Sequence, residues 1–190
     1  MKYPNFNKVA IILLMLVLSA CESDYTKLVK SELASGVKND SIFYNLRFGI
    51  TKKEFFKICW DLNRRHLVTQ GPSNKNVQVM LNPKDSSEAL KKIKMLFYGK
   101  FNSDHIMTGM DVTFSYDAWA PWNEDLQADK LLPVVRDTLL KWYPGNPFMK
   151  VKNVWVKVDG GRQIELKKES KRDVSVLIED LEYKYKTLMK

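Results

Sequence analysis

The side chains that could carry chemistry are few. Two cysteines, Cys21 and Cys59, and two histidines, His66 and His105, make up the stock of soft ligands and near-neutral bases. Neither histidine stands in an H-E-x-x-H pair or beside a cysteine pair, so no metal-ligand set is spelled out and no cofactor is expected. There is no G-x-S-x-G elbow and no glycine-rich phosphate loop, and Gly160-Gly161 fits a tight hairpin better than a phosphate cradle. The carboxylate pairs Glu124-Asp125 and Glu179-Asp180 are adjacent, and adjacent side chains on a helix or strand point in different directions, so neither pair converges on a substrate by itself. No catalytic residue is assigned. Cys59 shares a helical face with Phe55 and Leu62 and is expected to be a small buried hydrophobe. Cys21 is different, because it follows two small residues at the end of an apolar run.

That run opens the chain. A short basic region with Lys2 and Lys8 precedes the apolar stretch Val9 to Leu18, and Leu18-Ser19-Ala20-Cys21 follows. The apolar stretch is about ten residues where a spanning helix needs roughly 20, so residues 1–20 are expected to be an export signal rather than a membrane anchor. The four closing residues resemble the bacterial lipoprotein lipobox: a branched apolar residue, two small residues and a cysteine. The resemblance implies a diacylglyceryl thioether on Cys21, cleavage between Ala20 and Cys21, and acylation of the new amino terminus by a fatty acid such as palmitate. Each buried acyl methylene contributes about 0.8 kcal/mol, and two or more chains hold a protein stably on a bilayer. The expected place is therefore the cell envelope. Glu22 rather than aspartate follows the cysteine, which under the enterobacterial sorting rule permits the outer membrane.

The whole chain of 190 residues carries a formal charge of +9, and what remains after Lys2 and Lys8 leave is still moderately basic. Lys52-Lys53, Arg64-Arg65, Lys91-Lys92, Lys167-Lys168 and Lys171-Arg172 could favour anionic headgroups or acidic envelope polymers if they shared a face. Nucleic acid is not an expected partner, since export removes the domain from the cytoplasm. The most unusual stretch is "YDAWAPWN", in which Tyr116, Trp119 and Trp122 crowd a connection between elements. These aromatics either form an exposed platform for a sugar or peptide, or tuck over the end of the sheet and close the core.

The elements that would position these residues follow from periodicity. Residues 21–40 are expected to be a tether with a marginal helix, showing a weak helical period at Tyr25, Leu28, Val29 and Leu33 and ending at Ser35-Gly36; residues 41–190 are the globular domain. Thr51 and Glu54 form an S/T-x-x-E capping box, predicting a helix to about His66. Alternation then predicts strands in "NVQVML", "IKMLFYGKF" and "IMTGMDVTFSY". A second helix is predicted with Leu131, Val134, Val135, Leu139 and Trp142 on one face and Asp129 as its N-cap, a placement that tolerates Pro133. Pro144-Gly145 ends it, and "VKNVWVKV", "RQIEL" and "DVSVLI" read as three more strands, the first two joined by the hairpin signal Asp159-Gly160-Gly161-Arg162. The class is α+β, with helices on one face of a mainly antiparallel sheet and a possible duplication of an αβββ unit.

"FGITKKEF", Phe48 to Phe55, followed by Gly71-Pro72 and antiparallel strands, resembles the β-lactamase-inhibitor-protein-like superfamily, which includes the small lipoprotein of the outer-membrane assembly machine. The likeness implies a non-catalytic fold that presents one face of its sheet to other proteins. The whole chain is also similar to lipoproteins of the Bacteroidetes type, a likeness that supplies no function. The expected role is thus a lipid-anchored, non-catalytic envelope protein that binds a protein or envelope component through its sheet face or the Trp119/Trp122 loop. The competing expectation is an envelope hydrolase acting on glycan or peptide with acidic residues near that loop.

Overall fold

The structure is a computed structural model and describes residues 22–83 and 85–188; Cys21 and the export signal lie outside the described residues. Among the described residues, four α-helices, α1 (Asp24–Ala34), α2 (Lys52–Arg64), α3 (Ala128–Trp142) and α4 (Leu181–Leu188), accompany eight strands. The strands are β1 (Thr69–Gln70), β2 (Val77–Leu81), β3 (Ile93–Phe101), β4 (Met107–Tyr116), β5 (Met149–Val151), β6 (Val154–Asp159), β7 (Arg162–Lys168) and β8 (Asp173–Asp180). They form one sheet in the order β1-β2-β3-β4-β8-β7-β6-β5, with every neighbouring pair antiparallel.

The order mirrors itself about the β4–β8 seam, where Val112 faces Val176 and Phe114 faces Val174. Each half is a helix followed by a four-strand meander, αββββ rather than αβββ. The additional strands are β1 and β5, of only two and three residues. "VKNVWVKV", read as one strand, is in fact a hairpin: Val151 pairs with Val154 across a turn at Lys152-Asn153, where Lys152 takes a φ of 54°.

The two helices expected from the sequence pack on the same core. Helix α2 crosses β3, and α3 lies over β4, β7 and β8. The inward residues alternate as a half-buried strand requires: Met95 and Phe97 on β3, Met110, Val112 and Phe114 on β4, Ile164 and Leu166 on β7, Val174, Val176 and Ile178 on β8, all buried. Phe55, Cys59 and Leu62 from α2 and Leu131, Val135 and Leu139 from α3 close this core. The capping box of α2 is formed in both directions, with the Glu54 amide donating to Thr51 Oγ1 at 3.2 Å and the Thr51 amide donating to Glu54 Oε2 at 2.8 Å.

Helix α3 starts earlier than its sequence suggests. Asp129 is not the N-cap; Gln127 occupies that place, and the Ala128 amide donates to the Lys171 carbonyl at 2.8 Å, so a loop from the other end of the half supplies the missing acceptor. Pro133 consequently lies inside the helix. Asp129 pairs with Lys168 at 2.5 Å instead.

The largest departure concerns residues 21–40. The stretch read as a tether forms α1, and α1 is docked on the opposite face of the sheet. Residues alternate across β6, so Val156 and Val158 point away from the main core and, with Val29 and Leu181, build a second cluster joined by Tyr25, Leu28, Leu33 and Tyr185. Polar contacts hold the helix there. Tyr25 Oη donates to Gln163 Oε1 at 2.6 Å, Glu32 Oε2 accepts from the Gly160 amide at 2.6 Å, and Glu32 Oε1 accepts from Asn146 Nδ2 at 2.7 Å. Helix α4, which leaves β8 at Asp180, covers the neighbouring part of the same face.

Candidate functional site

The three aromatics of the expected platform lie in three different environments. Tyr116 closes β4 and is buried in the main core, where desolvation pushes its hydroxyl above the usual phenol range. Trp119 is half-buried: its Nε1 donates to Gln127 Oε1 at 3.3 Å, and the Arg172 guanidinium stands 5.7 Å from its ring centroid. Gln127 Nε2 in turn donates to the carbonyls of Ala120 at 2.9 Å and Asn123 at 2.7 Å, so one amide side chain ties the connection together. Trp122 is 84 % exposed. The connection therefore contributes one core ring, one pinned ring and one free ring rather than a shared stacking surface.

Of the carboxylate pairs, Glu179-Asp180 is engaged in local contacts, whereas Glu124-Asp125 lies exposed in a short turn. Asp125 follows the Asn123 cap of a short 3₁₀ turn. Glu179 accepts from Lys184 at 2.7 Å, while Asp180 accepts from the Tyr183 amide at 3.1 Å at the start of α4. Burial pushes the Asp180 carboxyl upward, partly offset by its backbone hydrogen bonds. On the sheet face away from the main core, Asp111, Leu177 and Glu165 form one cross-strand row over β4, β8 and β7. They border a cavity of about 450 Å³ with Thr113, Lys167 and Ser175. Leu177 stands between the two carboxylates, and Glu165 already accepts from Gln163 Nε2 at 2.7 Å. Both histidines sit in left-handed turns, His66 after α2 and His105 between β3 and β4. Among the described residues no group of three or more histidine, cysteine, aspartate or glutamate side chains is placed to hold a metal ion.

The basic pairs are dispersed, and many of their members are neutralised nearby. Arg64 meets Asp61 at 2.6 Å, Lys91 meets Glu88 at 2.6 Å and Lys167 meets Glu169 at 2.9 Å. Such exposed pairs add little stability, but they dilute any single basic face.

A concavity lined by aromatic rings lies elsewhere, between α2 and the β1–β2 hairpin. Its volume is about 590 Å³. Phe55, Cys59, Val68, Val77 and Tyr98 line it from within, and Phe56 and Trp60 stand at its helical wall. The rings interlock: Phe55 lies 5.7 Å from both Phe56 and Tyr98, edge to face, and Phe56 lies 6.4 Å from Tyr98. Yet Phe56 is 49 % and Trp60 61 % exposed, and the Arg64 guanidinium stacks 4.3 Å above the Trp60 ring. Phe56 and Trp60 are four residues apart, hence on one stripe of the helix. Sequence reasoning passed over them, although a signal was present: "EFFKICWDL" holds more apolar residues than one core-facing stripe can use, and the surplus is these two rings.

Cys59 forms part of the inner lining and is buried, with its thiol pushed up to about 12 by desolvation. The same group titrates near 9.0 without that burial, so the unfolded chain loses its proton first. This contribution to stability is intact below pH 9.0 and is lost as pH climbs through the interval toward about 12. In matched urea melts over that range, wild type should lose stability more steeply than Cys59→Ala; equal slopes would put the thiol in solvent.

The arrangement as a whole offers an apolar, aromatic-walled groove with Lys57 and Lys75 among its lining residues. No family model, no curated protein and no solved structure matches the chain.

Proposed function

We propose that this chain is a lipid-anchored, non-catalytic domain of the cell envelope that binds another protein through the groove beside α2. The observation that carries the reading is the pair Phe56 and Trp60, two large rings left 49 % and 61 % open to solvent on one helical stripe at the mouth of a preformed cavity. Large aromatic side chains in such settings are enriched at protein interfaces and anchor them when covered. Removing the remaining exposed area of each ring from water is worth on the order of 1–2 kcal/mol. Cys21, through its lipobox setting, supplies the membrane attachment, and the partner is then one that meets the domain at a bilayer surface.

The test joins anchor and groove. In cells of the native host, a photo-crosslinking side chain at position 57 should trap a discrete partner. The double variant Phe56→Ala/Trp60→Ala should abolish that product while Trp122→Ala leaves it intact. Cys21→Ala should move the protein from the membrane to the soluble fraction. Crosslinks that survive loss of both rings, or a Cys21→Ala protein that stays with membranes, would refute the groove and the anchor respectively.

A further inference from the structure

Beyond the groove lie a polar hollow of about 570 Å³ at Arg47, Glu54 and Asp61, a smaller hollow at Lys38, Asp40, Asp180 and Glu182, the open row Asp111–Leu177–Glu165, and the sheet edges at β1 and β5. The β1 edge and the groove adjoin. Thr69 and Gln70 of β1 belong to the groove lining, and β1 is the terminal strand of the eight-strand order. One side of β1 is paired with β2, through Thr69 opposite Gln78 and Gln70 opposite Val77. Its other side faces outward, and both residues are exposed.

From this juxtaposition we infer that the groove receives an extended, acidic segment of the partner, laid along β1 as an added strand with one bulky apolar side chain between Phe56, Trp60 and Tyr98. The inference rests on the protein-binding reading above and makes its occupant specific. The shape argues for an extended chain. A cavity of about 590 Å³ lies between α2 and the β1–β2 hairpin and reaches β1, so an occupant that continues past the hairpin meets apolar surface inside and open backbone at the edge of the sheet. A docking helix has already satisfied its own amides and can use only half of such a site. A strand uses both halves, since alternate side chains point into the groove while the backbone pairs with β1.

The charge argues for acidic flanks. The charged members of the lining are Lys57 on the helical wall and Lys75 at the hairpin turn, and no carboxylate lines the groove with them. Arg64 stacks over Trp60 but is already paired with Asp61, so the cations of the rim are Lys57 and Lys75. Carboxylates on either side of the apolar anchor would meet these cations across the rim. Because β1 is only two residues long, the backbone term is small and the anchor side chain dominates affinity.

The probe is a fluorescein-labelled seven-residue peptide that alternates glutamate with valine and carries phenylalanine at its centre, titrated by anisotropy against the full acylated protein in lipid nanodiscs. Binding should weaken by about tenfold or more, or 1.4 kcal/mol, when lysine replaces glutamate or when the central phenylalanine becomes alanine, and by a smaller factor of about threefold when alternate backbone amides are methylated. The double variant Lys57→Glu/Lys75→Glu should reverse the preference toward the lysine peptide; both side chains are exposed, so the fold is not at stake. Equal binding of the methylated peptide would overturn strand addition, and equal binding of the lysine peptide would overturn acidic selection. If no peptide binds while the position-57 crosslink persists, the strand inference fails and the protein-binding reading stands. If both are absent, both fail.

Discussion

Asp159→Ala should be among the most damaging single changes outside the apolar core, costing about 3–5 kcal/mol of folding free energy. The cause is Lys157, whose side chain is 0 % exposed and whose Nζ lies 2.6 Å from Asp159 Oδ2. Lys157 sits on β6 facing the same side as Ile164, inside the fold rather than at its rim. Its ammonium also donates to the Asn146 carbonyl. Asp159 Oδ2 makes no aligned hydrogen bond, so its contact with Lys157 is a charge pairing, while Oδ1 accepts from the Asn146 amide at 2.7 Å. Removing the carboxylate leaves a buried cation with one carbonyl and strips an amide of its acceptor. Adding Lys157→Met to Asp159→Ala should restore much of the loss, because the unpaired charge goes with it. Equilibrium urea unfolding of the two singles and the double closes the cycle. Additive losses would mean that the pair is not coupled as its geometry requires.

Gly160→Val is expected to cost a similar amount, about 3–5 kcal/mol from a strained backbone and an overpacked contact together. Gly160 has a φ of +54°, which a β-branched residue resists. A Cβ there would lie 2.3 Å from the Val37 carbonyl oxygen and 3.1 Å from its carbon. That carbonyl accepts from the Gly161 amide at 3.1 Å, and the Gly160 amide holds Glu32. The substitution therefore strikes the hairpin and the attachment of α1 in one place. Limited proteolysis should cut near residues 35–38 in the variant well before wild type is touched, and a thermal melt should show the lower midpoint. Gly36→Ala makes the contrast: its φ is +68° but nothing lies within 4 Å, so only the backbone term of about 1–2 kcal/mol applies.

The sheet was readable because its signals are local. Strands β2, β3, β4, β7 and β8 alternate along their length, and Thr51 and Glu54 satisfy each other's amides within a single turn. What escaped notice depends on distant residues. Helix α1 looks marginal since Tyr25, Leu28, Val29 and Leu33 form a weak stripe, and its binding site is a carboxylate reaching an amide 128 positions away. The start of α3 is fixed by the carbonyl of Lys171, so no nearby residue announces it. The β5–β6 turn uses Lys152 in a left-handed conformation where glycine or asparagine would have been the signal. At the proposed binding surface, Trp119 and Trp122 read from the sequence as a pair in a loop, whereas the pair that shares a helical stripe is Phe56 and Trp60, hidden within a helix whose other ring, Phe55, is needed for the core.

Helix α1 has a mechanical meaning for the proposed anchor. Its cap is Ser23, and Tyr25 is already fastened to Gln163. Only Glu22 and Ser23 separate Cys21 from the first residue of the helix, Asp24, a reach of about 10 Å when fully extended. Acyl chains on Cys21 would thus act on the body through a stiff handle and not a slack leash. The domain could swivel about the bilayer normal and drift sideways with its lipid, yet it could neither rise far from the headgroups nor tumble freely, and its groove would sweep a thin layer of fixed height in search of partners.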